Sequence, residues 1–167
     1  MSSPLHQGKR TLTISWGDPK ISERDATAIT GLDYLKGIKD GTISPPPVAR
    51  LVGYRISDVD KGRAVFELEP AEYHYNPFST VHGGIVATLL DTTMTAAVLS
   101  TLPMGQACST LEIKVNYIRP VTRKTGMITC SSETIHVGSR IATASGKVFD
   151  AEKKLIAHGM STCAIFS

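Results

Sequence analysis

Asn76-Pro-Phe-Ser-Thr-Val-His82-Gly83-Gly84-Ile-Val-Ala-Thr-Leu-Leu-Asp91 runs without a break into Thr-Thr-Met-Thr-Ala-Ala-Val-Leu-Ser-Thr101. This stretch predicts a loop that closes at two glycines and opens a long helix over residues 82–101. Ser79 or Thr80 is placed to cap the helix, and Pro103 and Gly105 end it. Its Thr, Val and Ile residues are mediocre helix formers, and it is apolar nearly all round. Such a helix survives only where tertiary structure encloses it. Ile85–Met104 is a largely apolar run of 20 residues, about the length of a bilayer span. However, Asp91 inside a span costs roughly 2.5–3.5 kcal/mol on insertion scales, and no second candidate span exists. A buried helix of a soluble protein is the expectation, with no membrane partner.

Outward from the helix the pattern turns to strands. Val52–Val59 is expected as the first, and Gly62 turns the chain into Arg63–Leu68, where apolar and charged residues alternate. Residues 70–81 read as a loop, with His74 a loop residue of no special role. After the helix, residues 106–118 alternate, with Leu111, Ile113, Val115 and Tyr117 on one face and Glu112, Lys114 and Asn116 on the other. Residues 125–136 and 139–149 form a hairpin turning at Val137-Gly138, and Leu155–Phe166 is the last strand. The order is α+β, a long helix wrapped by a curved antiparallel sheet.

Towards the N-terminus, residues 1–25 are polar and read as irregular and partly disordered. Residues 26–40 carry Ile29, Leu32, Leu35 and Ile38 at steps of three, a short amphipathic helix ended by Gly41. Ser44-Pro45-Pro46-Pro47 reads as a stiff linker. The expected division is a 1–45 extension and a 46–167 domain.

Composition narrows the classes. The chain has 167 residues, 41% hydrophobic and 20% charged, enough for one domain with its own core. A net charge of +3 gives no case for nucleic acid. Cys108, Cys130 and Cys163 fall in predicted strands with no zinc spacing, so reduced packed thiols and no metal are expected. The opening MSSPLHQGKR has no apolar h-region, which argues against a secretory signal and for a cytoplasmic protein.

The chemistry concentrates in the quoted stretch. Gly83 and Gly84 permit close approach to the backbone, and free N–H groups with the positive helix end favour developing negative charge. Together they make an oxyanion site. Asp91, two turns on, is a carboxylate on an enclosed helix and needs a role or a partner. Blander readings stand beside these. The glycines would equally serve tight helix packing, Asp91 would accept from nearby Thr hydroxyls, and His82 would support the backbone. Gly83 and Asp91 lie eight residues apart, ~12 Å along a helix axis. If both act on one carbonyl group they come from different chains, which predicts at least a homodimer, with a tetramer expected.

Asn76…His82-Gly83-Gly84…Leu90-Asp91, followed by Asn116-Tyr-Ile-Arg-Pro120, resembles the PaaI-type thioesterases of the hotdog superfamily over residues 45–166. The resemblance implies acyl-coenzyme A hydrolysis, with no cofactor beyond the coenzyme A of the substrate. It implies Asp91 as the catalytic carboxylate, general base or nucleophile, and Gly83 as the backbone donor to the thioester carbonyl. Asn76 is implied as a side-chain donor near that oxygen, and His82 as a buttress of the turn. Thr110 falls where relatives carry a Ser that orients water. Three departures stand out. Ser79 replaces a frequent Gly. Strict alternation points Ser109, not Thr110, to the apolar side. The first 45 residues exceed the shortest members, either to cap a substrate tunnel or to extend a dimer.

Gly84, Phe78, Thr95, Arg119 and Arg140 are the expected substrate-binding residues. Arg119 and Arg140 are preferred over Arg123, Lys124 and Lys147 for the phosphates of coenzyme A. Tyr75, Phe78, Met94, Val98 and Leu99 are candidates for an acyl pocket accepting aryl or medium-chain groups. Two other functions stay open: a hydratase or dehydratase of the same fold, disfavoured because no His follows Asp91 on its helix, and a non-catalytic acyl-CoA-binding module.

Overall fold

The computed structural model describes Gly8 and residues 10–167. Three short helices lead: α1 (Pro19–Ala28), α2 (Gly31–Asp40) and α3 (Pro47–Val52). There follow β1 (Tyr54–Asp60), β2 (Arg63–Leu68), the long helix α4 (Gly83–Leu99), β3 (Ala107–Tyr117), β4 (Ile128–Val137), β5 (Ile141–Phe149) and β6 (Leu155–Phe166). The six strands form one antiparallel sheet in the order β1-β2-β4-β5-β6-β3. It is the expected hotdog architecture.

The sheet wraps α4, which packs against all six strands. Leu89, Leu90, Thr93, Met94, Ala97 and Val98 have no exposed surface. Their seat depends on two glycines. Gly146 of β5 and Gly159 of β6 stand opposite each other. A Cβ at Gly146 would lie 3.0 Å from Leu90 and 3.1 Å from Met94, so only a bare backbone lets the helix come this close. The opposite stripe of α4, Gly84, Thr88, Asp91, Thr92 and Thr95, stays outside the wrap and is half-buried or exposed.

The N-terminal region differs from expectation. Residues 19–25 are helical rather than irregular, because Pro19 opens α1 and Asp18 caps it, accepting from the Lys20 N–H at 3.0 Å. The expected 26–40 helix is split, since Thr30 turns outward and caps α2 by accepting from the Asp33 N–H. Residues 1–7 and 9 of the expected irregular segment lie outside the described residues. The linker ends in α3, whose first position suits Pro47, so the first strand starts at Tyr54 rather than Val52. Tyr34 and Leu35 of α2 belong to the same apolar cluster as α4. The Gly31 N–H donates to the Leu102 carbonyl and the Gly105 N–H to that of Thr27, each at 3.1 Å. The extension therefore shares the core.

No helix of the described residues is long and apolar enough to cross a membrane. The three cysteines are free, in β3, β4 and β6.

Candidate active site

The loop before α4 is held by its own side chains. Asn76 Oδ1 accepts from the N–H groups of Phe78 (2.9 Å) and Thr80 (3.3 Å), while its Nδ2 donates to Thr80 Oγ1 (2.8 Å). Asn76 thus builds the turn. Ser79 has φ 60°, the left-handed region where Gly is at no disadvantage. Phe78 stands at the tip, 84% exposed. His74 is buried, contrary to expectation. Its Nδ1 accepts from the Ala71 N–H, which leaves Nε2 to donate to the Val52 carbonyl at 2.9 Å. Burial lowers its pKa from 6.5, against the opposing effect of the Val52 bond.

His82, not Ser79 or Thr80, is the N-cap of α4. Its Nδ1 accepts from the Gly84 N–H at 2.9 Å, and its carbonyl accepts from the Ile85 N–H. The Gly83 N–H has no acceptor among the described residues. The ring of Tyr117 packs on Gly83, where a Cβ would lie 3.2 Å from the ring, and the Tyr117 hydroxyl donates to the Gly83 carbonyl at 2.9 Å. Gly83 and Tyr117 line a cleft of about 260 Å³ that also meets Arg119.

Asp91 is aimed by two hydroxyls. Thr110 Oγ1 donates to Asp91 Oδ1 at 2.7 Å and lies 3.1 Å from Thr95 Oγ1. Thr110 has one proton and spends it on the carboxylate, so Thr95 donates to Thr110. Asp91 Oδ2 takes no hydrogen bond among the described residues and is open to solvent, since no unpaired polar side-chain atom there is buried. Nearby, the Tyr54 hydroxyl lies 3.4 Å from Thr92 Oγ1. Burial raises the Tyr54 pKa above 10.0; the Thr92 bond lowers it and the Asp91 charge raises it.

Thr110 reaches Asp91 because β3 is bulged. Pairing with β6 slips between Thr110 and Glu112, leaving Leu111 without a partner. Cys108 and Thr110 before the slip and Tyr117 after it all touch α4, although strict alternation would send Cys108 and Thr110 to the face opposite Tyr117. The expectation for Ser109 therefore fails, and Leu111 is 62% exposed instead of facing the helix.

The site residues do not all meet within one chain. Arg119 N–H donates to the Ile156 carbonyl at one end of β6, and the Arg140 carbonyl accepts from Ile165 at the other. Nine residues of strand, ~30 Å, separate those ends. Arg123 is tied to Glu72 at 3.1 Å. Met94 and Val98 lie in the core with no exposure, and the Tyr75 hydroxyl is occupied by the Arg123 N–H. Tyr54, Thr92 and the hydrogen-bonding role of Tyr117 went unread. Only Tyr117 left a signal, by alternating with the apolar residues of its strand. No group of three or more metal-ligating side chains occurs among the described residues.

A family model of the thioesterase superfamily matches residues 78–157. Human acyl-coenzyme A thioesterase 13 is 32% identical over 103 residues, 60% of this chain and 71% of the relative. The 1,4-dihydroxy-2-naphthoyl-CoA hydrolase of Listeria monocytogenes is 28% identical over 114 residues, 68% of this chain and 91% of the relative. The crystal structure of a phenylacetic acid degradation-related protein from Ralstonia eutropha superposes with a TM-score of 0.71 at 26% identity, covering 78% of this chain and 98% of that one. With the helix, the sheet and the glycine–aspartate spacing already in place, these likenesses establish that the chain is a thioester-hydrolysing enzyme of the thioesterase superfamily.

Proposed function

We propose that the protein hydrolyses acyl-coenzyme A to free acid and coenzyme A, with Asp91 as general base. The observation that carries this is the Thr95–Thr110–Asp91 relay, which fixes one carboxylate oxygen and leaves the other open. Oδ2 takes a proton from water as the hydroxide oxygen bonds to the thioester carbon. The carbonyl oxygen gains negative charge and receives the Gly83 N–H. The C–S bond then breaks, and the thiolate leaves with the proton Asp91 had taken.

Within one chain Gly83 and Asp91 are ~12 Å apart on α4, so the working site needs Gly83 from one chain and Asp91 from another. The free edge of β3, with Leu111, Tyr117 and Ile118 all more than half exposed, supplies a surface for two-fold pairing. Antiparallel pairing there brings Arg140 of the partner subunit towards the end where Arg119 lies. A track for coenzyme A is supported by the Gly83 cleft sharing Arg119, Pro120 and Ile156 with a neighbouring cleft of about 390 Å³ that holds Lys124, and Lys154 paired with Glu152 beside Asp150.

The test is release of coenzyme A from a panel of acyl-CoAs, read with a thiol reagent. Asp91→Asn should lower kcat by about 100-fold or more; near wild-type turnover in the folded variant would defeat the assignment. Single turnover in heavy-oxygen water should label only the product acid. Label in Asp91 would mean that it attacks the thioester itself.

A further inference from the structure

A cavity of about 400 Å³ lies between the extension and the sheet, within the size range of small-ligand sites. Tyr54, Ile56 and Phe66 of β1 and β2 form one side, with Tyr54 and Phe66 edge to face at 5.8 Å. Ile38 of α2, Pro46 of the linker and Ala49 of α3 close the other. The end wall is Thr92, the residue after Asp91, paired at only 3.4 Å with the Tyr54 hydroxyl. Lys39, Arg50 and Arg55 also line it, Lys39 tied to Asp58 and Arg55 to Glu67.

We propose that this cavity takes the acyl group of the thioester, and that α2, the proline linker and α3 decide which acyl groups fit. The inference rests on the hydrolase reading above. A lining that is mostly apolar, with Lys39, Arg50 and Arg55 its charged members, calls for an occupant with an apolar body. The cavity's hydroxyl-bearing end, Thr92 and Tyr54, is next to Asp91 in sequence on α4 and within reach of its charge, which acts on Tyr54, so the thioester carbon belongs at that end. The coenzyme A track runs past Gly83 and Arg119 and shares no lining residue with the cavity. In a composite site, one chain holds the coenzyme A arm while its partner supplies both Asp91 and the acyl cavity. The lining lies between residues 38 and 92, and all of it except Thr92 precedes the 78–157 stretch matched by the family. Acyl selectivity is thus carried mostly by chain outside that match.

The experiment is kcat/KM for straight-chain acyl-CoAs from acetyl to dodecanoyl, on wild type, Ala49→Leu and Ile38→Ala. Wild type should gain about fourfold per methylene until the cavity is filled. Ala49→Leu should shorten the preferred chain by about two carbons, costing the longest substrates roughly tenfold or more relative to the shortest. Ile38→Ala should lengthen it, and this variant decides the matter if Ala49→Leu does not fold. A shift of preferred length in either variant supports the proposal; the same factor at every chain length overturns it. Failure of wild type to cleave any acyl-CoA would sink the hydrolase reading instead. Decanoate binding by calorimetry then decides the cavity: weakening by either substitution keeps it as an apolar carboxylate site, and indifference to both overturns it.

Discussion

Thr110→Val keeps the shape of the side chain and removes the donor to Asp91 Oδ1. A hydrogen bond to a charged group is worth about 1.5–3 kcal/mol, and ~1.4 kcal/mol of barrier is tenfold in rate. Thr110→Val should therefore lower kcat about tenfold while KM changes little, and Thr110→Ser should restore it. Wild-type kcat in Thr110→Val would show that the hydroxyl is dispensable, and a loss in Thr110→Ser as well would show that the methyl group is needed to hold the hydroxyl in place. Ser79 tests the loop in the same way. Its φ of 60° is costly for any side chain, whereas Gly adopts it freely but has more to lose from the unfolded state. Ser79→Gly should raise stability by about 0.5–1 kcal/mol in chemical denaturation. A loss would show that the Ser79 hydroxyl has a partner worth more than the strain.

At the scale of the element, the strands decide how their side chains behave. Cys108 of β3 and Cys130 of β4 are pushed by burial up to about 12 and about 11. Only the thiolate reacts, so at about pH 8 both thiols should resist a disulfide reagent in the native protein and react once guanidinium exposes them. Rapid native labelling of Cys108 would mean that β3 detaches from the sheet. β3 also shows where periodicity fails as a guide. Leu111, Ile113, Val115 and Tyr117 alternate well enough to predict a strand, but one bulged residue turns the face over between Thr110 and Glu112.

For the whole molecule the decisive question is how many chains make one site. Gly83 is the first residue of α4, and His82 before it is extended, so proline fits that backbone and deletes the N–H, provided the Tyr117 side chain, 3.2 Å from a Cβ there, gives by a few tenths of an ångström. Gly83→Pro and Asp91→Asn proteins should each be nearly inactive alone. Mixed and exchanged in equal amounts, half the dimers are hybrids with one intact site of two, so about a quarter of wild-type activity should return. No recovery after exchange is verified by mass spectrometry would place the whole site within one chain.

Two strands, Arg63–Leu68 and Leu155–Phe166, match their expected bounds, and the helix carrying Asp91 matches to within two residues at either end. These were legible because a two-residue or near-continuous apolar pattern, bounded by Gly and Pro, is a local property. So was the joint presence of Gly83 and Asp91 on one helix, since eight residues fix their spacing. The split of the extension at Thr30, the burial of His74 and the bulge at Leu111 were not legible. The last two are settled by partners distant in sequence, Val52 for His74 and β6 for β3, and the first by the local Thr30 cap together with the Gly31 bond to Leu102. The sequence by itself determined which residues carry charge and where the chain turns. Only tertiary structure decided that Thr110 rather than Ser109 meets Asp91, and that α2 and α3 roof a cavity beside it, because both depend on surfaces that exist only once the sheet has closed round the helix.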